Sequence, residues 1–163
     1  MRRKERELTE TADRLAVIEK SKVCRLAMTD GDSPYIVPLN FGYTWENEEL
    51  TLYFHGAREG MKLDILKKNP AVCFEMDCGH QLIEADDPTG YSYAYESIIG
   101  SGSVVFIDDP QEKTRVLNIL MKHQAGKEGF TLPDAVLEKT CVYKVEAVSF
   151  TGKRRPLPAG PHP

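Results

Sequence analysis

The chain has 163 residues, 41% of them apolar and 28% charged, and a net charge of −4. That is enough apolar content for one packed domain, and the acidic balance argues against a nucleic-acid binder, which carries a basic face. No apolar run approaches the roughly 20 residues of a membrane helix, and the charged start Met1-Arg2-Arg3-Lys4-Glu5-Arg6-Glu7 lacks the apolar stretch of a signal peptide, so a cytoplasmic protein is expected.

Leu8, Ala12, Leu15 and Ile18 form one apolar stripe and predict a helix over 8–20. Residues 23–28 predict a strand, and Asp30-Gly31-Asp32-Ser33 a turn. A second strand runs from Tyr35 through Pro38 towards Tyr43, where Pro38 marks an edge, a bulge or a strand end. After the turn Glu46-Asn47-Glu48-Glu49, Leu50 to His55 predicts a third strand, completing a three-stranded meander. A helix is expected from about Glu59 to Asn69, ended by Pro70. Ala71 to Met76 reads as a strand, 77–90 as a polar loop, and Tyr91 to Ile107 as a long strand whose Gly100-Ser101-Gly102 suggests a bulge or a close backbone approach. Asp109-Pro110-Gln111-Glu112 has the pattern of a capped helix start with a capping box. Thr131 to Asp134 suggests a short further helix, and Cys141 to Phe150 a final strand. Pro156 to Pro163 reads as a proline-rich, flexible tail behind a single domain of residues 1–155. The sum is an α+β, mostly β protein of six or so largely antiparallel strands in a closed or nearly closed barrel, with peripheral helices.

Among side chains with chemical reach, Cys24, Cys73 and Cys141 lie in apolar runs and read as small buried hydrophobes. Cys73, Cys78 and His80 have the spacing C-x4-C-x-H, not the paired spacing of structural zinc. Arg58 and Lys62 fall one turn apart at the start of the expected second helix; they read either as solvated helix charges or as two cations facing one anion at a helix N-terminus. Glu59 is expected to point away from such an anion. His55 reads equally as a strand-end histidine bonded to backbone and as a group that transfers a proton near neutral pH. His80, His123 and His162 read as surface residues, and Lys153-Arg154-Arg155 as a solvated tail.

Three stretches carry a family likeness: Cys24-Arg25-Leu26-Ala27-Met28 with Pro34 to Phe41; Leu52-Tyr53-Phe54-His55-Gly56-Ala57-Arg58-Glu59-Gly60 with Lys62-Leu63-Asp64; and Tyr95-Glu96-Ser97-Ile98-Ile99-Gly100-Ser101-Gly102. Together with Thr151-Gly152-Lys153 they resemble the nitroimidazole-resistance (Nim) branch of the pyridoxamine 5'-phosphate oxidase-related flavoproteins, over about residues 8–155. The resemblance implies a six-stranded antiparallel split barrel that forms a homodimer with two FMN sites between the subunits. It implies that Pro38, Leu39 and Asn40 line the flavin ring through their backbone, and that Tyr53, Phe54 and His55 lie beside the ring and ribityl chain. Lys62 would face the phosphate, where the charge of Arg58 could join it on the two-cation reading of the helix start, and Tyr95, Ser97 and Ile98 would come from the partner subunit. Met61 stands where the family often has another lysine.

The implied activity is transfer of electrons from a reduced nicotinamide donor through FMN to a small oxidant such as a nitro-aromatic compound, with His55 orienting the substrate or supplying a proton. The chain end around Lys153-Arg154-Arg155-Pro156 does not resemble the substrate-phosphate site of true pyridoxamine-phosphate oxidases, so oxidation of vitamin B6 is not expected. The alternative from the same fold is a flavin or haem binder without turnover, with His55 as the axial ligand.

Overall fold

Runs of β-branched and aromatic residues at period two, broken by tight turns, build one antiparallel sheet of eight strands in the computed structural model, which describes residues 3–158. In chain order the elements are β1 (Glu7–Leu8), α1 (Thr11–Lys20), β2 (Cys24–Asp30), β3 (Ser33–Leu39), β4 (Gly42–Glu46), β5 (Glu49–Gly56), α2 (Met61–Lys68), β6 (Ala71–Ile83), β7 (Ser92–Ile107), α3 (Pro110–Ala125), α4 (Asp134–Lys139) and β8 (Cys141–Arg155). The strands follow the order β3-β2-β6-β7-β8-β5-β4, with β1 on β8. The sheet coils around its own core without closing, and β3 and β4 are its two ends, as a split barrel requires.

The concave side carries every second residue of the long strands. Leu26, Leu52, Phe54, Phe74, Ile98 and Tyr143 are all fully buried there. Burying each is worth roughly 1.5–3 kcal/mol before the entropy of ordering it is subtracted. Val17 and Ile18 of α1 and Leu63, Ile65 and Leu66 of α2 seal the same core. A smaller cluster of Tyr53, Ile107, Val116, Leu120 and Val142 fastens α3 to the β5–β8 side. There α3 crosses the start of β4 so closely that a Cβ on Gly42 would stand 2.8 Å from the Leu120 nitrogen and 2.9 Å from its Cα. Only a residue without a side chain fits.

Several expectations are corrected. The sheet has eight strands where six were expected. The three-stranded meander does not form: the chain leaves β3 at Asn40, buries Phe41, and restarts as β4 at the opposite end of the sheet. Leu8 belongs not to the first helix but to β1, where it pairs with Gly152. Most of the polar loop expected at 77–90 is strand: β6 crosses its register shift between Cys78 and Gln81 and runs on to Ile83, because its backbone finds partners on β7 up to Ser92. The bulge expected at Gly100-Ser101-Gly102 exists, and the extra residue is Val148 of β8. Asp109 caps α3 by accepting from the Glu112 N–H at 2.8 Å, but the Glu112 carboxylate reaches forward to Arg115 instead of closing a capping box.

The basic run at the chain end is not a solvated tail. It lies in β8, where Arg154 donates to Glu96 and to Asp13 and so ties β8 to β7 and α1, while Lys20 meets the other Glu96 oxygen at 2.8 Å. His123 is buried, not a surface residue, with Nδ1 2.8 Å from the Phe41 carbonyl and Nε2 3.2 Å from that of Glu19. Cys73 is exposed and Cys141 half-buried; of the three cysteines expected inside, only Cys24 is, and burial pushes its thiol up to about 12. Residues 156–158 have no regular structure, and the rest of the expected tail, His162 included, lies outside the described residues.

Candidate functional site

The edge strand β3 and the N-terminus of α2 face one another across a cleft of about 360 Å³. Val37, Pro38 and Leu39 form one wall; Gly60, Met61 and Lys62 form the other. Pro38 sits on an edge strand because it has no N–H to give to a ladder. Its neighbours therefore leave backbone groups free for something other than a ninth strand.

The opposite wall is a helix start without a cap. Gly60 occupies the N-cap position with φ 128°, a conformation that L side chains rarely adopt, and among the described residues no side chain caps the first N–H groups of α2. Such an end attracts anions. Lys62 adds the charge. Its ammonium stands 5.5 Å above the ring of Tyr143, and burial holds it below the ordinary lysine range. A half-buried ammonium with no acidic partner among the described residues gains from a bound anion.

Arg58 does not share this arrangement. The helix begins at Met61, so Arg58 and Lys62 are not one helical turn apart. The Arg58 guanidinium donates to the Glu138 carbonyl at 2.8 Å and lines a separate cleft against α4. Glu59, expected to face away, is exposed but contributes to the lining of the β3–α2 cleft. Met61 is 52% exposed and lines it as well.

The other expected site residues are spread over the sheet. Asn40 follows the end of β3, and its amide donates to the Lys22 carbonyl at 3.0 Å and to Gln124 at 3.3 Å. The Tyr53 side chain is buried towards α3, with its hydroxyl 3.2 Å from both Thr44 Oγ1 and Arg115 Nη2. Phe54 is fully buried and stacks on Tyr143 with centroids 5.5 Å apart, so only its backbone faces outward. On β7, Tyr95 lies beneath Lys153, whose ammonium is 5.7 Å from the ring. Ser97 pairs across the sheet with Asp77 and Lys153, and Ile98 is core. None of these three lines the β3–α2 cleft of its own chain.

His55 is exposed near the end of β5 and makes no side-chain hydrogen bond among the described residues. Its imidazole is held below the ordinary histidine value, first by partial desolvation and second by the nearby charge of Lys62. At neutral pH it is therefore an uncharged group with one free donor and one free acceptor. It closes the end of a second, apolar cleft of about 300 Å³ between α3 and α4. No sequence signal marked this cleft, since its walls come from residues 117–140 and meet β5 only in the fold. The buried Tyr143 hydroxyl, without a hydrogen-bond partner, was also invisible in the sequence.

Residues 10–154 match the family model of pyridoxamine 5'-phosphate oxidase. A candidate 5-nitroimidazole antibiotic resistance protein from Bacteroides thetaiotaomicron is 35% identical, with 91% of this chain and 86% of that one covered at a TM-score of 0.78. The flavocytochrome Anf3 of Azotobacter vinelandii is 17% identical over 97% of this chain and 73% of its own, at 0.79. An FAD-binding protein of Mesorhizobium loti is 19% identical over 93% and 98%, at 0.65. These last two share the fold. A search of curated proteins finds no match.

Proposed function

The chain belongs to the pyridoxamine 5'-phosphate oxidase family, and from that premise we propose that it is an FMN-binding oxidoreductase that works as a homodimer. The observation that carries the reading is the β3–α2 cleft, where free edge backbone faces an uncapped helix start and an unpaired, half-buried Lys62. The backbone of Pro38, Leu39 and Asn40 lies against the flavin ring, and the α2 N–H groups with Lys62 hold the phosphate. One lysine at one helix end suits a single terminal phosphate better than the diphosphate of FAD.

When bound, the flavin takes hydride equivalents from a reduced nicotinamide and passes electrons to a small oxidant such as a nitro-aromatic compound. The protein supplies position, exclusion of water and a proton source. His55 orients the polar atom of the oxidant through a hydrogen bond from its ring N–H, and its protonated form, refilled from water, gives that atom a proton and returns to the neutral ring.

The dimer is favoured by the outer face of the sheet. Tyr93 and Ile99 of β7, together with Leu82 of β6 opposite Tyr93, are 54%, 52% and 42% exposed, and the bulged Val148 is 81% exposed. An apolar surface of this kind on one chain is typical of an interface. Pairing two such faces would bring Tyr95, Ser97 and the backbone of Ile98 to the partner's cleft.

The test is direct. Protein is loaded with FMN, freed of excess, and its visible spectrum and mass in solution are recorded. A retained flavin spectrum at one FMN per chain in a dimer, with reduction by a nicotinamide donor faster than for free FMN, supports the reading. A colourless protein refutes it.

A further inference from the structure

We infer that the apolar cleft between α3 and α4 is a binding site for a small, planar, uncharged aromatic molecule carrying one hydrogen-bonding atom. In the terms of the proposed oxidoreductase this is the site of the electron acceptor, and in that respect the inference rests on the flavin reading.

The lining of the cleft is almost wholly apolar. Leu117 and Met121 of α3, Val136 of α4, and Phe130 and Leu132 of the connection give it apolar walls, and no charged residue contributes. Two further polar side chains lie there, and both are already engaged. The Asn118 amide nitrogen donates to the Thr114 and Phe130 carbonyls at 2.9 Å each, and its oxygen accepts from the Phe130 N–H at 2.7 Å. The Thr140 hydroxyl donates to the Val136 carbonyl at 2.7 Å. Among the described residues, His55 is left as the one lining side chain whose hydrogen-bonding groups are free.

These facts select the ligand. An ion entering the cleft would lose part of its hydration and meet no opposite charge, which disfavours it. An uncharged molecule loses little hydration, gains from covering apolar surface, and can pair one polar atom with His55. About 300 Å³ is at the small end of ligand sites, room for one substituted aromatic ring. Phe130 is 40% exposed and Val136 46%, far more than buried core side chains, so a flat ring has apolar surface to cover. The two-way bond between Asn118 and Phe130 fixes the rim, so the cleft is preformed.

The position gives the site its use. A Cβ on Gly56, the residue after His55, would stand 3.3 Å from the Lys62 ammonium; Lys62 lines the β3–α2 cleft and His55 the apolar one, so the two clefts approach each other at this end of β5. A ligand held by His55 would sit at the Lys62 end of β5, beside the proposed phosphate site.

The experiment uses nitrobenzene as the probe. Its binding to the full chain, with and without FMN, is followed by saturation-transfer NMR and by the His55 ring resonances. The variant Val136→Asp puts a carboxylate into the cleft at an exposed position, outside the core and outside the β3–α2 cleft. Leu132→Asp puts a second carboxylate there from the half-buried connection between the helices. We expect saturable binding to the native protein that shifts the His55 resonances. Each variant weakens it roughly tenfold or more, with the melting temperature and FMN affinity unchanged. Absence of saturable binding, or binding unaltered by both variants, overturns the proposal. Nitrobenzene binding in a protein that takes up no FMN leaves the cleft standing and removes only the acceptor role; FMN uptake without nitrobenzene binding overturns the cleft and leaves the flavin reading standing.

Discussion

Replacing Lys62 with Met probes the β3–α2 cleft with the least disturbance of the fold. Methionine keeps an unbranched stem over the ring of Tyr143 and removes only the ammonium, which lies 5.5 Å above that ring and is held below its ordinary range by burial. The free protein therefore loses no ion pair and sheds a desolvated charge, so its melting temperature should hold or rise slightly. The bound state loses a charge-assisted contact to phosphate, worth roughly 1.5–3 kcal/mol. That converts to an FMN dissociation constant weaker by roughly 10- to 150-fold. Quenching of flavin fluorescence on titration with protein measures it. The companion variant Arg58→Met should leave affinity within about threefold, well under 1 kcal/mol, because Arg58 is engaged by the Glu138 carbonyl in a different cleft. Equal affinity in Lys62→Met and native protein, or a larger loss in Arg58→Met, would refute this placing of the phosphate.

Gly42→Ala forces a Cβ to within 2.8–3.0 Å of the α3 backbone at Leu120 and Ile119; overpacking of this kind costs about 1–3 kcal/mol and should lower the melting temperature by roughly 2–12 °C in calorimetry. Tyr143→Phe removes a buried hydroxyl with no partner, so the variant should be as stable as the native protein or more so, and a clear drop in chemical-denaturation midpoint would contradict that. His55 should titrate by NMR with a midpoint below its ordinary 6.5, and Lys62→Met should move that midpoint back up, though desolvation, the larger cause, keeps part of the depression. The folded state binds its proton less readily than the unfolded chain, so this histidine leaves stability untouched above about pH 6.5 and lowers it as pH falls towards the folded midpoint. The effect is small, because the side chain is exposed. His55→Ala should retain FMN yet reduce nitro-aromatic turnover in an NADH-coupled assay; unchanged turnover would remove its substrate-facing role.

Local signals in the chain were sufficient for the elements that depend on neighbours in sequence. Asp109 and Pro110 start α3 where they stand, because capping and a fixed φ are local effects. The period-two runs became strands, and Pro38 fell on an edge as its missing N–H requires. The segment from Leu52 to Asp64 carried the family likeness and did contain one wall of the cleft. Partners distant in sequence decided the rest. Whether 77–83 is loop or strand depended on β7 offering it hydrogen bonds, and its polar residues gave no hint of that. His123 looked like a surface residue until α3 brought it against the carbonyls of Phe41 and Glu19, 82 and 104 positions away. Arg58 and Lys62, four apart, looked like a pair, yet the helix begins three residues later than the pattern places Arg58 and the guanidinium turns to α4. Sequence thus determined the family, the mainly β class and the cation of the cleft, because composition, periodicity and capping act over a few residues. The tertiary structure alone decided which polar groups are satisfied and which are left free, because hydrogen-bond partners and desolvation come from whichever segments the fold brings together.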